Sequence, residues 1–250
     1  MTAGPVVDTP SALEFQREIK ERISEPELHA IVGDLERKSA ALGELLSAGP
    51  GPPDPAAMRE VLGWVFATRR RAEQILGPIG PDTLAAAVGS LLSGGEPVAH
   101  RIDRFEAALG DQGSGLMTAG IGFELASELL HFTAPDRYWL WTRWIWDPEV
   151  RTGALALVTT DDVDLNAGAT TGARYLSVGR AMAFVDETGK AAGFTAAGSG
   201  TYGLDVLLAS VYGIYMYTVL RLRLTREFNR VVPPLADLVR RLLGVYRPEA

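Results

Sequence analysis

From Met1 to Gly115 the chain never alternates apolar and polar residues with a period of two. Its apolar residues recur every three or four positions, between breaks rich in Pro and Gly. Half-buried strands need the first pattern and amphipathic helices the second, so the sequence predicts an all-α protein. Ser11-x-x-Glu14 is a capping-box pattern with Leu13, Ile19 and Ile23 at helical spacing. Ser24-x-x-Glu27 repeats it ahead of Leu28, Ile31, Leu35, Leu42, Leu45 and Leu46, a stripe that runs out at Gly49. Behind a frayed leader over 1–10, residues 1–48 are therefore expected to form an N-terminal helical hairpin with charged outer faces. The alternative use of that hairpin is as an arm for a partner.

GPGPPDP (49–55) suits neither helix nor strand and marks a linker. Asp54-Pro55 then opens a predicted helix with Met58, Val61, Leu62, Val65, Ile75 and Leu76 inward and Arg69-Arg70-Arg71 as a solvated basic run. GPIGP (77–81) breaks it, and helices are predicted over 82–92 and 98–109. Beyond the central stretch, TGALALVTTDDVDL (152–165) fits either a short strand or a helical turn. Ala173–Ala192 reads as a helix with Tyr175, Leu176, Val178, Met182 and Val185 inward. Residues 204–220 are the most hydrophobic segment, but a membrane span needs about 20 apolar residues. Only 15, Val206 to Leu220, are uncharged, and Gly213 and three tyrosines interrupt them, so a buried helix is expected rather than a span. Residues 233–246 form a last amphipathic helix with proline at its start. The domains expected are 1–48, a helical core over 55–225 and a C-terminal helix over 226–250.

With no cysteine among 250 residues, thiol chemistry, disulfides and thiolate metal sites are excluded. His29, His100 and His131 are dispersed, which gives no metal pair at helical spacing. No metal or other cofactor is expected. The net charge of −7 argues against a general nucleic-acid binder, although residues 221–250 carry +4 and the remainder −11. No signal-peptide pattern opens the sequence, so a cytoplasmic location is expected.

Residues 118–147, TAGIGFELASELLHFTAPDRYWLWTRWIWD, hold four of the five tryptophans. Gly120-Ile121-Gly122 permits a tight turn into a helix carrying Leu125, Ala126, Leu129 and Leu130. The N–H groups of such a helix start favour an anion. GIGxxxAxxLL, a Pro-containing loop and then WLWTRWI together resemble the helix-hairpin-helix superfamily of base-excision DNA glycosylases. The resemblance is strong over 116–146 and extends over about 55–225. It implies an all-α glycosylase-like helical core whose hairpin, at Gly120 and Gly122, grips a DNA phosphate, with Arg137 and Arg143 as the nearby cations. It also implies a lysine in the bifunctional members, which falls on Glu124, and a catalytic aspartate at the head of the next helix, which falls on Thr142. The separation of 18 residues matches the family.

Both functional residues are replaced. Glu124 cannot form the Schiff base of an amine, and Thr142 cannot stabilise a sugar cation as a carboxylate would. Asp136 and Asp147 flank the site as substitutes, but read as a helix N-cap and a helix end. Residues 100–151 carry eight acids against five arginines, and Glu124 and Glu128 in the first turns of the central helix would repel phosphate. Trp139, Trp141, Trp144 and Trp146 cannot share one helix face, so at least one is expected at a surface, as an anchor for a protein partner or a ligand. The sequence therefore points to a degenerate, non-catalytic member of this architecture that holds a protein partner. The alternatives are a DNA binder that keeps the phosphate grip without base excision, and an enzyme with a Trp-lined carboxylate pocket.

Overall fold

A computed structural model describes residues 6–46, 51–110, 121–194, 200–223 and 233–246, with 220–223 as backbone alone. The fold is all-α, as the periodicity predicts, and no strand occurs among the described residues. Ten helices follow in order: α1 (Thr9–Arg22), α2 (Glu25–Leu46), α3 (Met58–Trp64), α4 (Ala72–Ile79), α5 (Pro81–Ser93), α6 (Val98–Gly110), α7 (Gly122–Thr133), α8 (Thr171–Ala192), α9 (Gly203–Arg223) and α10 (Leu235–Leu242). The undecided stretch 152–165 holds a short 3-10 turn at Leu155–Leu157 and two isolated bridges, from Thr152 to Asp147 and from Thr159 to Val7.

Capping sets the first two helix starts. α1 begins at Asp8 rather than Ser11: the Asp8 carboxylate accepts the Ser11 N–H at 3.2 Å and its hydroxyl at 2.6 Å. Aspartate caps as well as serine, and Pro10 fits the first turn where no N–H is needed. The second box forms as read. Glu27 accepts the Ser24 hydroxyl at 2.6 Å and its backbone N–H at 2.9 Å, which holds the Glu27 carboxyl below the ordinary range. The single helix expected from Asp54 to Leu76 is broken between Trp64 and Ala72. There Thr68 donates its hydroxyl to the Leu62 carbonyl at 2.7 Å, and the Phe66 N–H turns away toward Glu128.

The chain divides into two compact units: Met1–Leu35, Arg143–Leu165 and Arg180–Ala250 in one, Glu36–Thr142 and Asn166–Gly179 in the other. The division does not follow the proline linker. It passes through α2 and α8, because helices of 22 residues are long enough to serve two cores. In the first unit α9 is central and takes α1 on one side and α10 on another. α1 thus finds its packing partner in α9, where the sequence suggested a hairpin with α2. Val206, Leu208, Ala209 and Val211 are fully buried, so the apolar stretch is a core helix. No single helix among the described residues is long and apolar enough to cross a membrane. Gly213 has a packing role: a Cβ there would lie 2.7 Å from Leu235 Cδ1, so its absence lets α10 close in. Arg240 of α10 pairs with Asp34 at 3.2 Å.

In the second unit α5 is the hub and touches α3, α4, α6 and α7, while α6 and α7 pack on each other. Leu176 on α8, expected inward, is 45% exposed.

Candidate functional site

Every residue of α7 from Gly122 to Phe132 is buried. Such a helix must be apolar all round or pair each polar group internally. α7 carries Glu124, Ser127, Glu128 and His131, spaced so that they fall on neighbouring faces of successive turns. Glu128 receives Lys38 Nζ of α2 at 2.6 Å and the Phe66 N–H at 3.1 Å, and the Lys38 ammonium stands 4.1 Å from the centre of the Phe132 ring. Both members of this ion pair are sealed from water. The structure so corrects one detail: Glu128 is a partner of Lys38 rather than an uncompensated charge at a phosphate-facing helix start.

Ser127 and His131 hold the segment that follows α7. The Trp141 N–H donates to Ser127 Oγ at 2.6 Å, and Ser127 Oγ donates to the Trp139 carbonyl at 3.4 Å. His131 Nδ1 lies 2.8 Å from the Tyr138 carbonyl, so that nitrogen carries the proton. The Tyr175 hydroxyl adds a 3.0 Å bond to the Trp139 carbonyl, and burial pushes its phenol pKa up. With its backbone groups satisfied this way, residues 138–142 lie along α7 without forming a helix. No helix therefore begins at Thr142. Its Oγ1 is buried without a hydrogen-bond partner, and Glu124 is buried as well.

The tryptophans are corrected by the same geometry. Trp141, Trp144 and Trp146 are buried and Trp139 is half-buried, so none of the four is an exposed anchor. Trp139 and Trp141 belong to the second unit, Trp144 and Trp146 to the first. Trp141 stacks on Phe123 with ring centres 4.4 Å apart. Trp139 covers Gly179, where a Cβ would lie 2.8 Å from its Cδ1. Trp144 lies 6.5 Å from the Tyr212 ring.

At the N-terminus of α7, an internal carboxylate stands where the sequence placed a phosphate. A Cβ on Gly122 would lie 3.3 Å from Glu106 Oε1. Asp103, one turn earlier on α6, accepts the Gly172 N–H at the start of α8 at 2.7 Å. Burial holds the Glu106 carboxyl above the ordinary range, a hydrogen bond from Thr171 opposes that, and Asp103 adds to it. A raised folded-state pKa means that the folded chain binds this proton more tightly than the unfolded chain. The resulting stability is present below the unfolded pKa and is lost as pH rises through the folded one. Glu106→Gln should remove that loss, so the variant should gain stability relative to the parent as pH rises above the ordinary glutamate range and through the raised folded-state value, read by urea denaturation at each pH.

The two cations assigned to the phosphate grip fare differently. Arg137 lies exposed beyond the C-terminal end of α7, about 16 Å of helix away from Gly122, and stacks on Tyr138. Arg143 is half-buried in the first unit. Gly120 lies outside the described residues, as do Arg226, Arg230 and Arg247 of the basic C-terminal stretch. Asp136 is exposed in a turn closed by Arg137 and Tyr138 N–H bonds to the Ala134 carbonyl, and caps no helix. Asp147 ends no helix either: its Oδ1 accepts the Glu149 N–H at 2.9 Å within a tight turn. Among the described residues no group of His, Asp and Glu is placed to hold a metal ion.

Sequence reasoning passed over three residues that organise this region: Lys38, Arg101 and Glu106. Lys38 had a legible signal, since it continues the Ile31, Leu35, Leu42 stripe as its one charged member. No family model matches the chain, and no curated protein or solved structure matches it.

Proposed function

We propose that this chain is a non-catalytic interaction protein, built on a helix-hairpin-helix-like arrangement of α6 and α7 and acting by holding a protein partner. The burial of α7 on every side carries this reading. The two positions that would perform base excision, Glu124 and Thr142, lie in the interior, and Glu106 stands against the helix start that would meet DNA. A phosphate brought to that helix start would meet a carboxylate instead of a cation.

The partner surface moves from the tryptophans to exposed apolar side chains. Phe184 is 48% exposed on α8 of the first unit, and Val150 is 65% exposed in the same unit. Exposed aromatic side chains are favoured anchors.

Two measurements test the proposal together. Labelled duplex DNA titrated with the protein should show no saturable change in anisotropy at low salt. A partner should co-purify in fixed stoichiometry and be lost with Phe184→Glu, while the melting temperature stays at the parental value. DNA binding that weakens steeply with salt and disappears in Arg143→Glu would instead establish the phosphate-gripping alternative.

A further inference from the structure

The connector between α3 and α4, residues 65–71, is tied to the interior of the second unit along its backbone and carries cations on its outside. Val65 and Thr68 are fully buried, the Thr68 hydroxyl donates to the Leu62 carbonyl at 2.7 Å, and the Phe66 N–H donates to the sealed Glu128 at 3.1 Å. The N–H groups of Thr68 and Arg69 both donate to the Val65 carbonyl. A connector fixed in this way is ordered before anything binds, which lowers the entropic cost of an encounter. Trp64 and Phe66 are half-buried, and the Arg69 guanidinium lies 4.8 Å from the centre of the Phe66 ring. Arg70 and Arg71 are exposed, and among the described residues no ion pair or hydrogen bond engages either guanidinium. Arg59, by contrast, is answered by Glu73 of the same region. Aromatic residues together with arginine are the composition enriched in binding surfaces.

From this we infer that the α3–α4 connector is a docking surface for an acidic segment of a protein partner, a run of aspartates or glutamates. It goes beyond the Phe184 and Val150 surface, which belongs to the first unit. Charge complementarity selects the class. Arginine meets a carboxylate through two parallel N–H bonds. Neighbouring Cα atoms lie about 3.8 Å apart, and the long side chains of Arg70 and Arg71 are unengaged, so both can reach successive carboxylates of one chain. A nucleic acid fits less well, because neutralising its phosphates takes a broad basic face. Here three arginines stand in a segment flanked by the exposed Glu60 and Glu73, on a chain of net charge −7.

The test is fluorescence anisotropy of labelled hexaglutamate titrated with the full chain, at low and then rising salt, and it needs no partner of Phe184. Two double variants lose the same charge: Arg70→Ala with Arg71→Ala at the connector, and Arg17→Ala with Lys20→Ala on α1. All four side chains are exposed, so both melting temperatures should stay at the parental value. Hexaglutamate should bind the parent saturably at up to millimolar concentration, and more weakly as salt rises. The connector variant should bind it about tenfold more weakly or worse, and the α1 variant like the parent. Absence of saturable binding to the parent chain would overturn the surface. An equal loss in the α1 variant would overturn its location, since net charge alone would then account for the binding. Labelled duplex DNA that binds the parent and loses affinity in the connector variant would overturn the assignment to an acidic protein segment.

Discussion

Replacing Lys38 by methionine is expected to cost about 3–5 kcal/mol of folding stability, the range for removing one partner of a buried ion pair. The physical cause is the charge left behind. Glu128 would retain only the Phe66 N–H, at 3.1 Å, in a site sealed from water. The second replacement, Glu128→Gln, discriminates this cause from lost packing, since glutamine still accepts from Phe66 but carries no charge. The double variant Lys38→Met with Glu128→Gln should recover most of the loss, because a buried pair is close to neutral overall once both charges are removed. Urea denaturation of the four chains gives the coupling directly. A large negative interaction energy at constant slope is predicted, whereas simple additivity would mean that the pair is not a pair.

Trp141→Ala should be comparably severe, at about 3–5 kcal/mol, because it leaves a cavity beside Phe123 that the surrounding helices cannot fill. Trp141 is 2% exposed, and its indole stacks on Phe123 at 4.4 Å and faces Tyr175 at 6.5 Å. Trp141→Phe should keep part of the stacking and lose less. A partner anchor behaves in the opposite way: its truncation weakens binding and spares the fold. Thermal and chemical denaturation of the two variants distinguishes a core tryptophan from a surface one. Loss of partner binding with unchanged stability would return Trp141 to the surface role that the sequence suggested.

The helices were legible because their evidence is local. Ser24 and Glu27 close a capping box that needs only a three-residue spacing, and the 235–242 helix follows from proline and periodicity. The break at Val65 was not legible, because its cause lies in Glu128, 62 positions away. The tryptophan segment misled for a related reason. Trp141 and Trp144 sit at helical spacing, but the backbone of 138–142 is claimed by Ser127, His131 and Tyr175, none of them a neighbour in sequence. Periodicity cannot foresee a competitor for backbone hydrogen bonds. Leu176 fits the inner stripe of α8 by residue type and still faces outward, since an apolar side chain at a surface costs little and leaves no mark in the pattern.

The candidate site was legible in position but not in character. Residues 118–147 do contain a helix, α7, that is buried from Gly122 to Phe132. The sequence could not show that the polar residues of α7 face inward. An acidic residue reads the same whether it lies in a solvated first turn or against a buried lysine. What could have revealed it was Lys38, one of three lysines in the chain, standing among leucines and isoleucines at helical spacing. A lone charge in an apolar stripe calls for an opposite charge in the core.

The central claim is that the acidic face of α7 is closed by that lysine and unavailable to a ligand, and amine acylation followed by mass spectrometry tests it most directly. The chain offers three lysines for comparison: Lys20 exposed on α1, Lys190 partly exposed in a pair with Asp186 at 2.6 Å, and Lys38 fully buried. Under native conditions Lys20 and Lys190 should be modified rapidly, while Lys38 stays unmodified until urea unfolds the protein and then reacts like the other two. Modification of Lys38 in the folded chain at a rate similar to Lys20 would contradict the account, because it would show that α7 opens to solvent and that Glu128 is free to meet something from outside.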